Sequence, residues 1–352
     1  MLTLPRRELT LALIATLLLF STPSVQAQKQ QASSGSLKIG FLMDSLKVER
    51  WQTDLDKFQK RAAELGAQVL VETAEGDDEL QWQQAQKLLA AGVRALVLVP
   101  HDAEKSVRIV DAAKAKNVPV LCYERLVRDA NVSLFIGVDA SAVGRMQADS
   151  LTRLAPKGNY VLIGGSPSDT NAKLLHDAQM KVLAPIVDRG DIRIVSDTWS
   201  RDWDPSEAYA HMSAAIDSTK GDIAAVVASN DGTAGGAIQA LEEHKLAGKI
   251  LVSGQDADLA AIIRILEGTQ TMTVYKPLGS QATQAAEAAV SLAKGNAVKT
   301  SASLSIGNAA IPAILLLPVV VTKENVRSTV IRDGFQNLDT IEKNLPKDKW
   351  PK

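Results

Sequence analysis

Two residues of opposite charge occupy matching places in this chain. Asp256 follows the apolar run 250–252, and Lys276 follows the apolar run 272–275. In open α/β sheets, ligands sit beyond the carboxyl ends of strands. A carboxylate offers only acceptors and an ammonium only donors, so together they can grip a molecule dense in hydroxyls. Alone, the pair is better explained as a salt bridge at a rim. The other strand ends shift that balance. Asp44, Arg50 and Trp51 follow the run 39–43, and Glu124 and Arg125 follow 118–122. Asn171 and Lys173 come after 160–163, Trp203 after 192–195 and Asn230 after 224–228. Aromatic residues are 4% of the chain, yet three of its five tryptophans, Trp51, Trp199 and Trp203, fall in these loops. An indole supplies a flat apolar wall. A sugar ring, with its C–H face and hydroxyl edge, would match such walls and a charged rim. Trp199 is expected to be a core anchor and Trp203 a wall, while Trp51 suits either role.

Other chemistries are poorly served. Gly164-Gly165-Ser166 lacks the spacing and the lysine of a phosphate loop. The glycines of 232–236 open a helix and fit close helix–sheet packing better than a dinucleotide. The four histidines, His101, His176, His211 and His244, stand singly, and no Cys/His cluster implies a metal. Asp44 and Glu124 could imitate a glycosidase pair. Arginines beside them would hold both ionised, leaving no general acid. Cys122 is the sole cysteine and lies in an apolar run, so a buried core thiol is expected. A net charge of -1 argues against a nucleic-acid partner.

The elements that must carry these residues alternate. Apolar runs at 39–43, 69–71, 95–99, 118–122 and 134–138 read as buried strands separated by helices, including one with Trp51, Leu55, Phe58, Ala62 and Leu65 on a single face. The rhythm repeats with strands at 160–163, 192–195, 224–228, 250–252 and 272–275. Helices are predicted at 79–91, 103–116, 171–187, 206–218, 233–243, 258–267 and 280–294, with a strand over 311–322 and a short helix at 324–330. Continuous apolar strands alternating with helices predict α/β architecture, with parallel sheets covered on both faces. Two such sets predict two lobes whose facing strand ends form a cleft, a favoured ligand location. At the start, Arg6 and Arg7, the apolar run 11–20 and Val25-Gln26-Ala27 have the order of a secretory signal peptide, with the arginine pair a weak hint of twin-arginine export.

The segments Glu49-Arg50-Trp51-Gln52, Gly164-Gly165-Ser166-Pro167 with Asn171-Ala172-Lys173, Ala228-Ser229-Asn230-Asp231, and Ser253-Gly254-Gln255-Asp256-Ala257-Asp258 through Lys276-Pro277 carry a further likeness. Through them the chain resembles the type I periplasmic sugar-binding proteins of ABC importers, from about residue 37 to 335, and within them the D-xylose-binding branch. The resemblance implies two doubly wound, Rossmann-like lobes joined by a multi-strand hinge. The implied division is a signal peptide at 1–27, a leader at 28–36, an N-terminal lobe of 37–142 and 277–312, a C-terminal lobe of 143–276 and 313–340, and a tail at 341–352. It implies a periplasmic monomer without cofactor or metal. Such a protein closes on a monosaccharide, D-xylose first among candidates, and passes it to an importer permease. Another pentose or hexose, or a chemotaxis or sensor partner, is the alternative; a secreted sugar-modifying enzyme is a weaker one. By matched position, Arg50, Trp51, Arg125, Asn171, Trp203, Asn230, Asp256 and Lys276 would line the sugar site, with Lys173 nearby. The xylose binders carry aspartate where this chain has Glu124, whose carboxylate stands one methylene further out.

Overall fold

The computed structural model describes residues 36–48, 50–306 and 309–345. The expected signal peptide, the leader up to 35, the end of the tail at 346–352 and Glu49 lie outside the described residues.

β1 (Leu37–Met43) is apolar almost throughout because both faces are covered. Ile39, Phe41 and Met43 point into one core and Leu42 into another, the alternation a strand imposes. It pairs in parallel with β2 (Ala67–Thr73) and β3 (Ala95–Leu98). Beyond β3 come β4 (Val120–Tyr123) and β5 (Leu134–Val138), also parallel. β12 (Ala309–Leu316) joins β5 in parallel, and β11 (Ala302–Ile306) closes that edge antiparallel, giving seven strands. Helices α1 (Arg50–Glu64) and α9 (Leu278–Ala293) cover one face. α2 (Asp78–Ala90) and α3 (Val107–Ala115) cover the other. On α1, the buried Trp51, Leu55, Phe58 and Ala62 recur at helical spacing.

The second sheet holds four parallel strands in the order β7 (Ile192–Trp199), β6 (Gly158–Gly164), β8 (Ala225–Ala228) and β9 (Leu251–Val252). α4 (Ala140–Leu154) and α5 (Thr170–Asp188) pack on one face, and α6 (Pro205–Thr219) and α7 (Asp231–Glu243) on the other. A short antiparallel pair, β10 (Thr273–Tyr275) with β13 (Val319–Val321), is tied to this side by a bridge between Gln255 and Val274. α8 (Leu259–Glu267) packs against it.

The chain passes between the two sides three times, each time through one or two residues. Asp139 lies between β5 and α4, Lys276 and Pro277 between β10 and α9, and Leu317 and Pro318 between β12 and β13. The single strand predicted over 311–322 is therefore two strands in different sheets. Pro318 lacks the N–H a ladder needs, and Leu317 stands 84% exposed at the break. β11 was not predicted. The helix predicted from 103 begins only at Val107, because the Asp102 carboxylate accepts the amides of Glu104 and Lys105 in a turn. The helix predicted at 324–330 is a short π-helical turn at Arg327–Ile331. Cys122 is buried in β4, and burial pushes its thiol up to about 12.

The small residues of 232–236 do what their composition suggests. A Cβ on Gly236 would stand 2.0 Å from the carbonyl oxygen of Pro205, so α6 crosses α7 backbone to backbone there. Backbone cannot rotate out of the way as a side chain can. Gly236→Val is expected to lower stability by about 2–3 kcal/mol, read as a fall in the urea midpoint at unchanged m-value.

Candidate functional site

Nine of the ten residues singled out in the sequence line one cavity: Arg50, Trp51, Glu124, Arg125, Asn171, Trp203, Asn230, Asp256 and Lys276. Val48, Asp169 and Gln255 complete its wall. Lys173 does not reach it. Lys173 is two residues beyond Asn171 on α5, a rotation of roughly 200° about the helix axis, so it faces another way.

Each side chain is held by the end of an element. Arg50 and Trp51 form the first turn of α1, so Trp51 belongs to a helix rather than a loop. Glu124 and Arg125 directly follow β4. Asp169 caps α5, accepting the amide of Asn171, and Asn230 caps α7, accepting the amide of Thr233. Trp203 ends a 3-10 turn before α6. Three of these positions, and one beside them, need unusual backbone. Glu124, Trp203 and Asp256 have φ of 64°, 60° and 102°, and Asp202 before Trp203 has 53°. Such conformations in non-glycine residues cost energy and gather where a side chain must be aimed. For Asp256 the support is visible. The buried Asp231 carboxylate accepts from Gln270 Nε2 (2.8 Å), Thr273 Oγ1 (2.9 Å) and the amide of Asp258 (3.1 Å), pinning the loop on both sides. Burial pushes the Asp231 carboxyl up to about 7, with Arg264 opposing and Asp256 reinforcing the rise.

Inside the cavity, three cations, Arg50, Arg125 and Lys276, meet three carboxylates, Glu124, Asp169 and Asp256. Lys276 Nζ lies 2.5 Å from Glu124 Oε1 and 2.8 Å from Asp256 Oδ1. Arg50 Nη1 reaches the same two oxygens at 3.1 and 3.5 Å, while its other edge grips Asp54 Oδ2 with bonds of 3.1 and 2.7 Å. Arg125 donates to Asp44 Oδ2 (2.6 Å) and faces Asp169 Oδ2 (2.8 Å), which also accepts Trp203 Nε1 (3.1 Å). Gln281 of α9 donates to Glu124 Oε2 (2.9 Å), and Asn171 Nδ2 donates to the carbonyl of Glu124 (2.7 Å). The Trp51 ring carries Arg50 at 4.6 Å and Arg125 at 5.6 Å from its centroid.

The electrostatics follow from that pairing. Burial would raise the Glu124 carboxyl, but Arg50 and Lys276 outweigh it and hold it at about 2. Asp44 is likewise lowered, burial being overcome by Arg125 and His101. Asp169 goes the other way, burial winning over Arg125, and burial pushes Asp54 up to about 6 against Arg50. Asp44 and Glu124 are thus held ionised by cations rather than poised as an acid–base pair.

Proximity does not exhaust every polar atom. Arg50 Nη1, Trp51 Nε1 and Asp256 Oδ1 are buried without a well-directed hydrogen bond. Arg50 Nη1 and Asp256 Oδ1 are close to opposite charges, but the angles are poor, and hydrogen bonds weaken steeply off axis. Unpaired buried donors and acceptors are costly, so these atoms point at what the cavity is built to take. Its free space is about 30 Å³, close to that of one water.

Asp169 and Gln281 were missed as site residues. Asp169 follows a strand like the others, and α9 gives Gln281 no local signal. The histidines are not all single either. His101 Nδ1 lies 2.7 Å from Asp44 Oδ1, and His176 Nε2 lies 2.9 Å from Asp197 Oδ2 with its ring against Trp199.

Residues 39–297 match the periplasmic binding protein domain. The chain is 44% identical over 331 residues to the D-xylose-binding periplasmic protein of Haemophilus influenzae, covering 94% of this chain and 97% of that one. It is 46% identical over 322 residues to the D-xylose-binding periplasmic protein of Escherichia coli, covering 92% and 98%. Among solved structures, a carbohydrate transporter solute binding protein from Chloroflexus aurantiacus, in complex with D-glucose, is similar with a TM-score of 0.81 at 28% identity, covering 88% of this chain and 98% of that one.

The depressed Glu124 pKa carries a stability consequence. A carboxyl lowered on folding contributes stability above its unfolded pKa and loses it as pH falls through the folded one, here from about 4.5 toward about 2. The shift corresponds to about 3 kcal/mol. Urea titrations of wild type and Glu124→Gln should therefore diverge most near pH 5 and converge as pH drops toward 2.5. A constant gap would mean the carboxylate is not held ionised by its neighbours.

Proposed function

The chain belongs to the periplasmic binding protein domain family, and from that premise we propose that it captures a monosaccharide, D-xylose first, in the cavity between its two sheets. In this reading it works in the periplasm, after removal of a signal peptide, and hands the sugar to the permease of an ABC importer. The observation that carries the reading is the convergence of paired charges and two indoles, from both sheets, on one cavity with buried polar atoms left over. The relatives are sugar-binding proteins, and each of the three cavity carboxylates stands against a cation.

The site recognises a neutral ligand with charged groups because those groups neutralise each other. Hydroxyls of the sugar accept from Arg50, Arg125, Lys276, Asn171 and Asn230 and donate to Asp256 and Glu124. Hydrogen bonds to charged groups contribute about 1.5–3 kcal/mol each, so a few would exceed the roughly −8 kcal/mol of micromolar binding. Desolvation, ordering and lobe closure absorb the difference. Paired side chains from both sides occupy the cavity as it stands. In this reading, entry of a sugar parts the two sides and exchanges those side-chain partners for hydroxyls, a hinge motion.

We assign the N-terminal lobe to 37–138 with 278–316 and the C-terminal lobe to 140–276 with 319–345. The last crossing falls at Leu317–Pro318 rather than inside β12, because β12 stays paired with β5 through Leu316. Trp203 is the wall that leaves no room for an additional hydroxymethyl, which favours pentoses. Glu124 fills its longer reach by bonding Lys276 and Gln281 at once.

Calorimetry tests this directly. Wild type should bind D-xylose with micromolar affinity. Asp256→Ala removes the carboxylate that Lys276 and Arg50 share on the second side and a proposed acceptor of the sugar, and should weaken binding at least 100-fold. Trp203→Ala should weaken xylose about tenfold or more and narrow the gap to D-glucose. The reading fails if no pentose or hexose gives heat or raises the melting temperature. X-ray scattering should show a smaller radius of gyration with sugar than without; an unchanged radius would remove the hinge from the proposal.

A further inference from the structure

His101 follows β3 and belongs to no part of the sugar cavity, yet it closes a ring of polar contacts through it. Its Nδ1 lies 2.7 Å from Asp44 Oδ1. The other oxygen of Asp44 accepts from Arg125 Nη1 at 2.6 Å. Arg125 Nε faces Asp169 Oδ2 at 2.8 Å, across to the second sheet. The same oxygen accepts from Trp203 Nε1 at 3.1 Å. Trp203 is preceded by Asp202, whose Oδ1 stands 4.0 Å from His101 Nε2. The circuit crosses between the sheets twice, at Arg125–Asp169 and at His101–Asp202, and passes through three cavity residues, Arg125, Asp169 and Trp203.

The two crossings differ in kind. Arg125 is always charged. His101 is not. With Nδ1–H donated to Asp44, a neutral imidazole turns the lone pair of Nε2 toward the Asp202 carboxylate, and the two repel. Protonated, it turns an N–H toward that carboxylate. Asp202 sits in a 3-10 turn with φ of 53°, so it can follow the imidazole without disturbing a helix.

We propose that His101 is a positioning residue that ties sugar affinity to pH: as imidazolium it draws Asp202, and with it the Trp203 wall, onto the N-terminal side, so sugar is held more tightly in mildly acidic than in alkaline solution. The proposal rests on the sugar-binding reading above. The charged surroundings of His101 support it from every side. Asp44 follows β1, Asp77 and Asp78 open α2, and Asp202 comes from the opposite side. The opposing cations are Arg125, behind Asp44, Arg201, beside Asp202, and Lys105, paired with Asp78 at 2.6 Å. The hydrogen bond to Asp44 comes first in raising the imidazole above its ordinary value, against burial, with Asp44, Asp78 and Asp202 adding to it. The sign follows. When the sides close, Asp202 approaches and the imidazole titrates higher than in the open protein. The extra affinity is fully present below the open-state pKa and is lost as pH rises through the closed-state pKa. His101 is only 14% exposed but Asp202 is 45% exposed, so solvent screens the contact and the effect is modest.

Calorimetry with D-xylose from pH 5.5 to 8.5 tests it, together with NMR titration of the His101 ring with and without xylose. Wild type should bind about two- to fivefold more weakly at pH 8.5 than at pH 5.5, and xylose should raise the imidazole pKa. His101→Gln should keep binding near the alkaline affinity and lose most of the wild-type slope, leaving only what Asp231 and Asp54 contribute. Asp202→Asn, a partly exposed change that leaves the Asp44 contact intact, should flatten the profile too. If both variants bind xylose and keep the wild-type slope, the residues that titrate lie elsewhere and the proposal is wrong. An imidazole titration indifferent to xylose would also overturn it. If wild type binds no sugar at any pH, the sugar-binding reading fails and takes this proposal with it, a result distinct from a flat profile with sugar bound.

Discussion

Charge pairing across the two sheets is the constraint on which the site depends. Taking an ion out of water costs several kcal/mol even after relaxation. Three cations are nevertheless buried around one cavity, each against a carboxylate from another segment. Lys276 is bracketed by Glu124 of one side and Asp256 of the other, and Arg125 by Asp44 and Asp169. No single element supplies both partners of these pairs. The cavity therefore exists only when both sheets are folded and facing, and an uncharged ligand can meet fully charged hydrogen-bond partners without bringing a counter-charge of its own.

That arrangement demands accurate aim, and the backbone shows where the demand falls. Three cavity residues that are not glycine take left-handed φ. The Asp231 carboxylate holds the loop that carries Asp256, and the close approach of Trp203 to Gly165, where a Cβ would stand 2.3 Å from the ring, fixes the indole plane. Rigid elements and their caps set the positions; strained single residues set the final directions.

Much of this was legible in the sequence because strands and strand ends are local properties. Apolar runs located β1, β5 and β10 closely, and the rule that ligands gather at carboxyl ends of strands brought out Arg50, Glu124, Asp256 and Lys276. What escaped was non-local. Gln281 reaches Glu124 across 157 positions. His101 has no neighbour in sequence that hints at Asp44, 57 residues away. Asp169 caps α5 with one oxygen, and only the fold turns its second oxygen to Trp203 at the cavity. Lys173 shows the opposite error, since nearness in sequence to Asn171 is not nearness in space on a helix. The break at Leu317–Pro318 was hidden inside an apolar run with two prolines, of which Pro312 sits within β12 and only Pro318 marks the break.

That break and its two companions have a mechanical meaning. Each tie between the halves is one or two residues long, and two residues span at most about 7 Å. Three such short straps, side by side, permit tilting but resist sliding or separation, as a flexure does in an instrument mount. Lys276 is itself part of one strap. The ammonium that meets Glu124 and Asp256 is thus carried on a tie between the halves, the place that a tilt of one half against the other would displace least.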